Sequence, residues 1–183
     1  METASIHVTE KAATKIQELL AKEGVGLIYG GGSRGLMGAV ATAVLDHGGH
    51  VTGVIPEFLQ NREQTLKRAQ EIVVTPDMHV RKQTMFERAD AFVALPGGIG
   101  TLEEFFEVWT WRQLGYHDKP VGLLNMAGYY DSLLTFLGSA VKNGFMSDWQ
   151  MELICTGSDA QLLLQQLVQA AGMTAATTRL DQI

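Results

Sequence analysis

The stretch AFVALPGGIGTLEE, residues 91–104, has the sequence pattern that predicts the fold of the chain. An apolar run at Ala91–Leu95 leads into the glycine-rich turn Pro96–Thr101, and helical periodicity follows from Leu102. A short run that is apolar on both faces is typical of a strand in a parallel sheet that helices cover on both sides. The stretch therefore predicts a strand, a glycine turn and a helix, the repeating unit of a doubly wound α/β domain.

The same alternation extends along the chain. Strand-like apolar runs occur at Gly26–Tyr29, Val51–Ile55, Ile72–Thr75, Val121–Leu124 and Leu153–Thr156. Helical stripes lie between the runs, one formed by Ala13, Ile16, Leu19 and Leu20 and another by Leu102, Phe105, Phe106 and Trp109. We therefore predict a single α/β domain over residues 1–183, with a doubly wound parallel sheet, helices on both faces and a frayed tail from about Gly172.

The composition excludes several classes of function. With a net charge of −6 and no run of Lys or Arg, the chain is not expected to bind nucleic acid or an anionic membrane. It has no apolar run of membrane-spanning length and no signal peptide at Met1–Val8, which predicts a soluble, cytoplasmic protein. The lone Cys155 excludes an internal disulfide, and nothing near His47 and His50 completes a metal site, so no metal is predicted.

A second glycine cluster, LIYGGGSRGLMG at residues 27–38, also follows a strand and precedes a helix. In this arrangement backbone amides and the positive end of a helix dipole converge beyond the carboxyl end of the strand. Glycine lets a phosphate approach the backbone closely. The two turns, one at Gly30, Gly31 and Gly32 and one at Pro96–Thr101, therefore predict a bound nucleotide or sugar phosphate.

Two known nucleotide-binding motifs fit these clusters less well. A P-loop is excluded, because no Lys-Ser/Thr pair follows either cluster. The residues Gly30, Gly32 and Gly35 match a dinucleotide-binding fingerprint, with Glu57 as the acid that would bind the ribose. That interpretation leaves the second glycine turn and its glutamates without a role.

Two groups of residues could carry out chemistry beside the turns. Thr101 and Glu104 have the spacing of a capping box, which would make them structural. Alternatively, Glu104 lies in the first helical turn and stabilises an oxocarbenium-like centre or orients a water molecule, as glycosidic cleavage requires. Arg81 and Lys82 follow a candidate N-cap, Asp77, and are either a solvated pair or a clamp for phosphate, sugar hydroxyls or a carboxylate.

The segment PGGIGTLEE, Pro96–Glu104, resembles the signature P-G-G-x-G-T-x-x-E of the LONELY GUY (LOG) family. The resemblance extends in order over essentially residues 10–170. The further matching segments are Gly30–Gly32 with Gly35–Gly38, Val54–Pro56, Met78–Lys82, Glu107–Trp111, Gln113–Gly115, His117–Asn125 and Gly128–Tyr130.

The resemblance implies a Rossmann-like fold, a homodimer and hydrolysis of an adenosine 5′-monophosphate, plain or N6-substituted, to the free base and ribose 5-phosphate. No cofactor or metal is implied. By position, the resemblance implies that Arg81 and Glu104 are the catalytic pair. It also implies a set of substrate-binding residues, with the threonine and the glycine amides at the phosphate: Lys82, Gly98, Ile99, Gly100, Thr101, Glu63 and Thr110.

One departure from the family and two alternative functions stay open. Family members begin with a strand and a Cys-Gly-Ser-Ser-type loop, which Met1–Val8 does not match, so the fold lacks the usual first strand unless Ser5–Val8 supplies it. Its loss would favour a catalytically inactive nucleotide-binding protein of the same fold. A decarboxylase would need a lysine that forms a Schiff base with pyridoxal phosphate, and Lys82 and Lys119 are the candidates, but neither has a recognisable partner for the pyridine nitrogen.

Overall fold

The structure is a computed structural model that describes residues 25–60 and 65–172. The chain divides into two compact units, of which the described part of the first ends at Ala89 and that of the second runs from Asp90 to Gly172. Several predicted features lie outside the described residues: the strand at Ser5–Val8, the stripe that ends at Leu20, the binding residue Glu63 and the tail beyond Gly172. No described helix is long and apolar enough to cross a membrane.

The first unit is a three-stranded parallel sheet with helices. Its elements in chain order are β1 (Leu27–Tyr29), α1 (Gly35–Asp46), β2 (Val51–Pro56), α2 (Glu57–Gln60), β3 (Glu71–Thr75) and α3 (Met78–Arg88). Strand β2 lies between β1 and β3, so that Gly53 pairs with Tyr29 on one side and with Ile72 on the other. Every residue of β2 is buried, as the apolar run predicts for the central strand of a covered sheet.

The second unit repeats this arrangement. Its elements are β4 (Phe92–Ala94), α4 (Ile99–Gln113), β5 (Val121–Leu124), a 3₁₀ turn (Met126–Gly128), α5 (Asp131–Lys142), α6 (Asp148–Glu152), β6 (Ile154–Gly157) and α7 (Ala160–Ala170). Strand β5 is central and parallel to both neighbours. Phe105 and Trp109 of α4 are buried in the core of this unit together with Val121 and Leu123 of β5, which confirms the helical stripe predicted from the sequence.

All six predicted strands are present among the described residues, and their ends differ from the prediction by one residue or less. The parallel arrangement with flanking helices is also confirmed. Within residues 25–60 and 65–172 the six strands form two three-stranded parallel sheets, β1-β2-β3 in the first unit and β4-β5-β6 in the second.

The N-cap predicted at Asp77 is confirmed. The Asp77 side chain accepts a hydrogen bond of 2.9 Å from the backbone amide of Val80, and the helix begins at Met78. This cap fixes the register of α3 and so places Arg81 and Lys82 at the end of its first turn, just past strand β3.

Candidate phosphate-binding and catalytic residues

The glycine turn of the second unit leads into an open helix N-terminus. Strand β4 ends at Ala94 and α4 begins at Ile99, with Gly98 as its N-cap. A Cβ atom would meet nothing within 4 Å at either Gly98 or Gly100, and the Ile99 side chain between them is 88% exposed. The first amides of any α-helix lack intrahelical partners and carry the positive end of its dipole. The start of α4 can therefore bind an anion at its backbone.

Gly97 has a different role from its neighbours. A Cβ atom at position 97 would collide with the hydroxyl oxygen of Thr101, the third residue of α4. Glycine is therefore needed here so that the turn can fold closely over the Thr101 side chain. Gly97 therefore lies directly beside the Thr101 side chain, in the first turn of α4.

The structure corrects two expectations about Glu104. Because Gly98 takes the N-cap position in an extended conformation (φ −92°, ψ −155°), α4 begins three residues before the predicted start at Leu102. Thr101 is thus inside the helix, and the predicted capping box with Glu104 is wrong. Glu104 is the sixth helical residue, in the second turn and not the first, and its side chain is half-buried.

Arg81 of the first unit is buried, with 8% of its surface exposed, so the interpretation as a solvated face is wrong for this residue. Its guanidinium lies directly against Gly30, where a Cβ atom would collide with Nη2, and its Nη1 donates to the sulfur of Met78 at 3.6 Å. Lys82, the next residue, is half-buried. The structure therefore brings together two residues that the sequence singled out separately, Gly30 and Arg81.

The turn that contains Gly30, Gly31 and Gly32 is itself buried. The carbonyl of Gly31 accepts a hydrogen bond of 3.1 Å from the amide of Leu66, and Gly32 forms an antiparallel bridge with Thr65. Gly31 has a φ of 78°, in the left-handed region that glycine adopts without strain. This first turn is buried and bonded to residues 65 and 66, whereas the turn before α4 is exposed at Gly98.

The other residues considered from the sequence are more scattered. Thr110 is exposed on α4, Glu57 is exposed at the start of the short α2, and Lys119 is half-buried just before β5. The His47 ring contacts the carbonyl of Ala43. Within the described ranges no group of three or more His, Cys, Asp or Glu side chains could hold a metal ion.

Sequence reasoning missed two residues at the turn before α4. The hydroxyl of Tyr129 donates to the carbonyl of Gly97 at 2.9 Å, and the hydroxyl of Tyr130 donates to the carbonyl of Leu95 at 2.7 Å. Both tyrosines belong to the matched segment Gly128–Tyr130, which was the available signal. A motif match does not reveal which backbone groups its side chains contact.

These features first define a class. The chain is a Rossmann-like α/β protein, because its parallel strands lead through glycine turns into helix N-termini. One unit has a buried arginine and the other has a half-buried glutamate. A family model described as "Possible lysine decarboxylase" matches residues 37–167. The chain belongs to this family, the LOG family.

Relatives with assigned activities resemble the chain over most of its length. It is 50% identical over 162 residues to the cytokinin riboside 5′-monophosphate phosphoribohydrolase LOG3 of Arabidopsis thaliana, covering 88% of this chain and 75% of the relative. It is 51% identical over 158 residues to LOG7, another cytokinin riboside 5′-monophosphate phosphoribohydrolase of Arabidopsis thaliana, and this match covers 86% of this chain and 73% of the relative.

The fold also resembles that of a solved structure. The molybdenum cofactor binding protein of the phototrophic bacterium Rippkaea orientalis superimposes with a TM-score of 0.67 at 21% identity, covering 88% of this chain and 87% of that protein. At this identity the likeness concerns the fold alone.

Proposed function

We propose that the chain is a phosphoribohydrolase that cleaves the N-glycosidic bond of a cytokinin riboside 5′-monophosphate, an N6-substituted adenosine 5′-monophosphate. The products are the free base and ribose 5-phosphate. The observation that carries the proposal is the open N-terminus of α4, which Gly98 caps and which has Glu104 one turn further along the helix. It occurs in a chain that is 50% identical to a phosphoribohydrolase.

The phosphate of the substrate binds at the start of α4 in this proposal. The amides of Gly98, Ile99 and Gly100 and the hydroxyl of Thr101 are the donors, and the helix dipole adds a favourable field. A chain with a net charge of −6 attracts anions poorly in bulk, so local donors have to supply the affinity. Lys82 is a further substrate-binding residue, carried over from the family resemblance.

Glu104 and Arg81 are the proposed catalytic pair. In the reaction the bond between C1′ of the ribose and the base nitrogen breaks, its electron pair leaves with the base, which takes up a proton, and water adds its oxygen to C1′ and gives up a proton. A carboxylate stabilises the oxocarbenium-like transition state or orients the water and accepts its proton. Arg81 is always charged, and its planar guanidinium can bind oxygen atoms of the substrate through two parallel hydrogen bonds.

The proposal includes three further points. Glu63 and Thr110 contribute to substrate binding and the protein acts as a homodimer, both carried from the family resemblance, and Gly30, Gly31 and Gly32 bind the substrate, as the glycine-turn pattern predicts. Size-exclusion chromatography with light scattering tests the dimer directly, since a monomer at working concentration would exclude it.

The decisive experiment is chromatographic analysis of products after incubation with AMP and with isopentenyladenosine 5′-monophosphate. We expect free base and ribose 5-phosphate in equal amounts. Glu104→Gln should abolish release of the base, whereas Glu103→Gln, which changes the exposed neighbouring carboxylate, should leave it nearly unchanged. Turnover retained in Glu104→Gln would reject the assigned role.

Two other outcomes point to the alternatives. Calorimetry that detects binding of AMP by the unmodified chain without any release of base would identify a catalytically inactive nucleotide-binding protein. An absorbance band of pyridoxal phosphate in the purified protein, lost on reduction of a Schiff base, would support the decarboxylase that the family description names.

A further inference from the structure

The connection after β5 is an unusually constrained turn. The Asn125 side chain accepts a hydrogen bond from the amide of Tyr130 and donates one to the carboxylate of Asp131, both at 2.7 Å. Ala127 has a φ of 52° and Gly128 a φ of 72°, and the left-handed conformation is strained for a residue with a Cβ atom. Strain of this kind persists where the surrounding contacts fix the backbone.

This turn carries two tyrosines to the glycine turn before α4. The Tyr129 hydroxyl donates to the Gly97 carbonyl, and the Tyr130 hydroxyl donates to the Leu95 carbonyl. The two rings meet edge to face, with centroids 4.8 Å apart and an interplanar angle of 85°, so each ring restricts the other. Burial raises the pKa of Tyr130, with a smaller rise from Tyr129, while a hydrogen bond with the Gly97 backbone acts in the opposite direction, so Tyr130 remains a neutral donor at physiological pH.

The contact with Gly97 has a geometric consequence for Gly98. A trans peptide is planar, and its carbonyl and its amide N–H point in opposite directions. The described residues contain no cis peptide bond. A hydroxyl that holds the Gly97 carbonyl therefore also fixes the direction of the Gly98 N–H, which belongs to the same peptide and lies at the open N-cap of α4.

The contact with Leu95 anchors the other end of the turn. The carbonyl of Leu95 precedes Pro96, which has no N–H, so this peptide can be held only through its oxygen. Tyr130, which is only 3% exposed, provides that hydrogen bond from within the core cluster of the second unit. The turn is thus held at both ends by side chains from one rigid segment.

We propose that Tyr129 and Tyr130 are positioning residues, which hold the Pro96–Gly98 turn so that the Gly98 amide faces the phosphate of the substrate. The inference rests on the proposed function, because it takes the start of α4 as the phosphate site. Tyr129 has the larger effect, since its hydroxyl fixes the peptide that donates to the phosphate. Tyr130 acts less directly on the Gly97–Gly98 peptide, because its hydroxyl binds the carbonyl of Leu95 at the start of the turn.

Tyr129→Phe and Tyr130→Phe test the proposal, because each removes a hydroxyl and leaves the ring. Tyr129→Phe should raise KM for the nucleotide roughly tenfold or more, the size of one charge-assisted hydrogen bond, with a smaller change in kcat. The inhibition constant of ribose 5-phosphate should rise in parallel, while that of the free base stays constant. Tyr116→Phe, which alters an exposed tyrosine of the same unit, should change none of these values.

Two controls separate positioning from folding and from the function itself. Thermal unfolding of each variant shows whether the fold is intact; an unchanged inhibition constant for ribose 5-phosphate in a folded Tyr129→Phe protein would overturn the proposal. If the unmodified chain binds AMP without hydrolysing it, the phosphoribohydrolase assignment fails, and the dissociation constants of AMP for the same variants decide the positioning role. If it binds neither AMP nor inorganic phosphate, both proposals fail.

Discussion

The guanidinium of Arg81 occupies the space in which a side chain at Gly30 would begin. A Cβ atom at position 30 would collide with Nη2 of Arg81 and would also lie 3.4 Å from the sulfur of Met37. The first glycine of the GGG cluster therefore leaves room for an arginine far along the chain. In this unit the glycine makes room for a catalytic candidate as well as for a tight turn.

Gly30→Ala should displace Arg81 and so lower both activity and stability. The extra methyl group meets the end of the long Arg81 side chain, which can move aside, so the cost in the free energy of unfolding should be about 1 kcal/mol, the low end of the range for overpacking. Urea denaturation and steady-state kinetics measure the two effects. In an Arg81→Ala background the same glycine change should cost much less stability, because the colliding group is gone. Equal costs in the two backgrounds would show that Arg81 is not what requires the glycine.

Gly100→Ala should change stability and binding in opposite directions. Gly100 is the second residue of α4 and faces open space, so alanine stabilises the helix by up to about 1 kcal/mol. The same Cβ atom covers the amide at which the phosphate is proposed to bind, so the dissociation constant of AMP should rise. Gly138→Ala is the matched control, since Gly138 also lies in a helix of this unit with nothing within 4 Å, and it should stabilise the protein without affecting AMP binding.

The buried Tyr29 should make stability depend on alkaline pH. Burial raises its pKa from 10.0 to about 12, so the unfolded chain loses this proton first as the pH rises. The contribution of Tyr29 to stability is therefore fully present below pH 10 and is lost as the pH rises from about 10 to about 12. Chemical denaturation across this range measures the loss, and tyrosinate absorbance identifies the group.

Tyr29→Phe should remove that part of the pH dependence. Within the described residues the Tyr29 hydroxyl has no hydrogen-bond partner, so its removal at neutral pH should be neutral or stabilising by about 1 kcal/mol. An unaltered alkaline slope in Tyr29→Phe would assign the effect to another group.

Two adjacent leucines of α7 should differ sharply. Leu163 is 1% exposed and packs against Gly157 of β6, whereas Leu162 is 61% exposed. Leu163→Ala should lower the free energy of unfolding by about 2–5 kcal/mol through lost burial and a cavity. Leu162→Ala should stay within about 0.5 kcal/mol of the parent. Thermal denaturation of both variants tests the packing of α7 on its sheet, and similar losses in the two would contradict it.

The strands could be predicted from the sequence because a strand that is buried on both faces consists almost entirely of apolar residues. Val51–Pro56 and Val121–Leu124 are apolar at nearly every position, and both are central strands. The start of α4 could not be predicted in the same way. Glycine has low helix propensity, so Ile99-Gly100 gives no helical signal, and the helix depends instead on the tertiary packing of Phe105 and Trp109 further along.

The candidate site could be predicted only as a set of residue types. Motif spacing identified Arg81, but no local pattern encodes its burial or its contact with Gly30. In the same way, Tyr129 and Tyr130 were recognised as part of a matching segment, yet their hydrogen bonds to Gly97 and Leu95 arise from the path of the chain after β5. Long-range contacts of this kind decide what a residue does.

Gly98, the N-cap of α4, has no side chain that could accept hydrogen bonds from the first backbone amides of the helix. An anion bound there would accept the hydrogen bonds that a capping side chain normally accepts. Ligand binding and the free energy of unfolding are therefore thermodynamically linked. Free nucleotide at a concentration of a hundred times its dissociation constant would add about 2.7 kcal/mol to the free energy of unfolding. A cell that runs short of the nucleotide would then hold a protein that opens more often and is degraded sooner, which links the supply of substrate to the lifetime of the protein that consumes it.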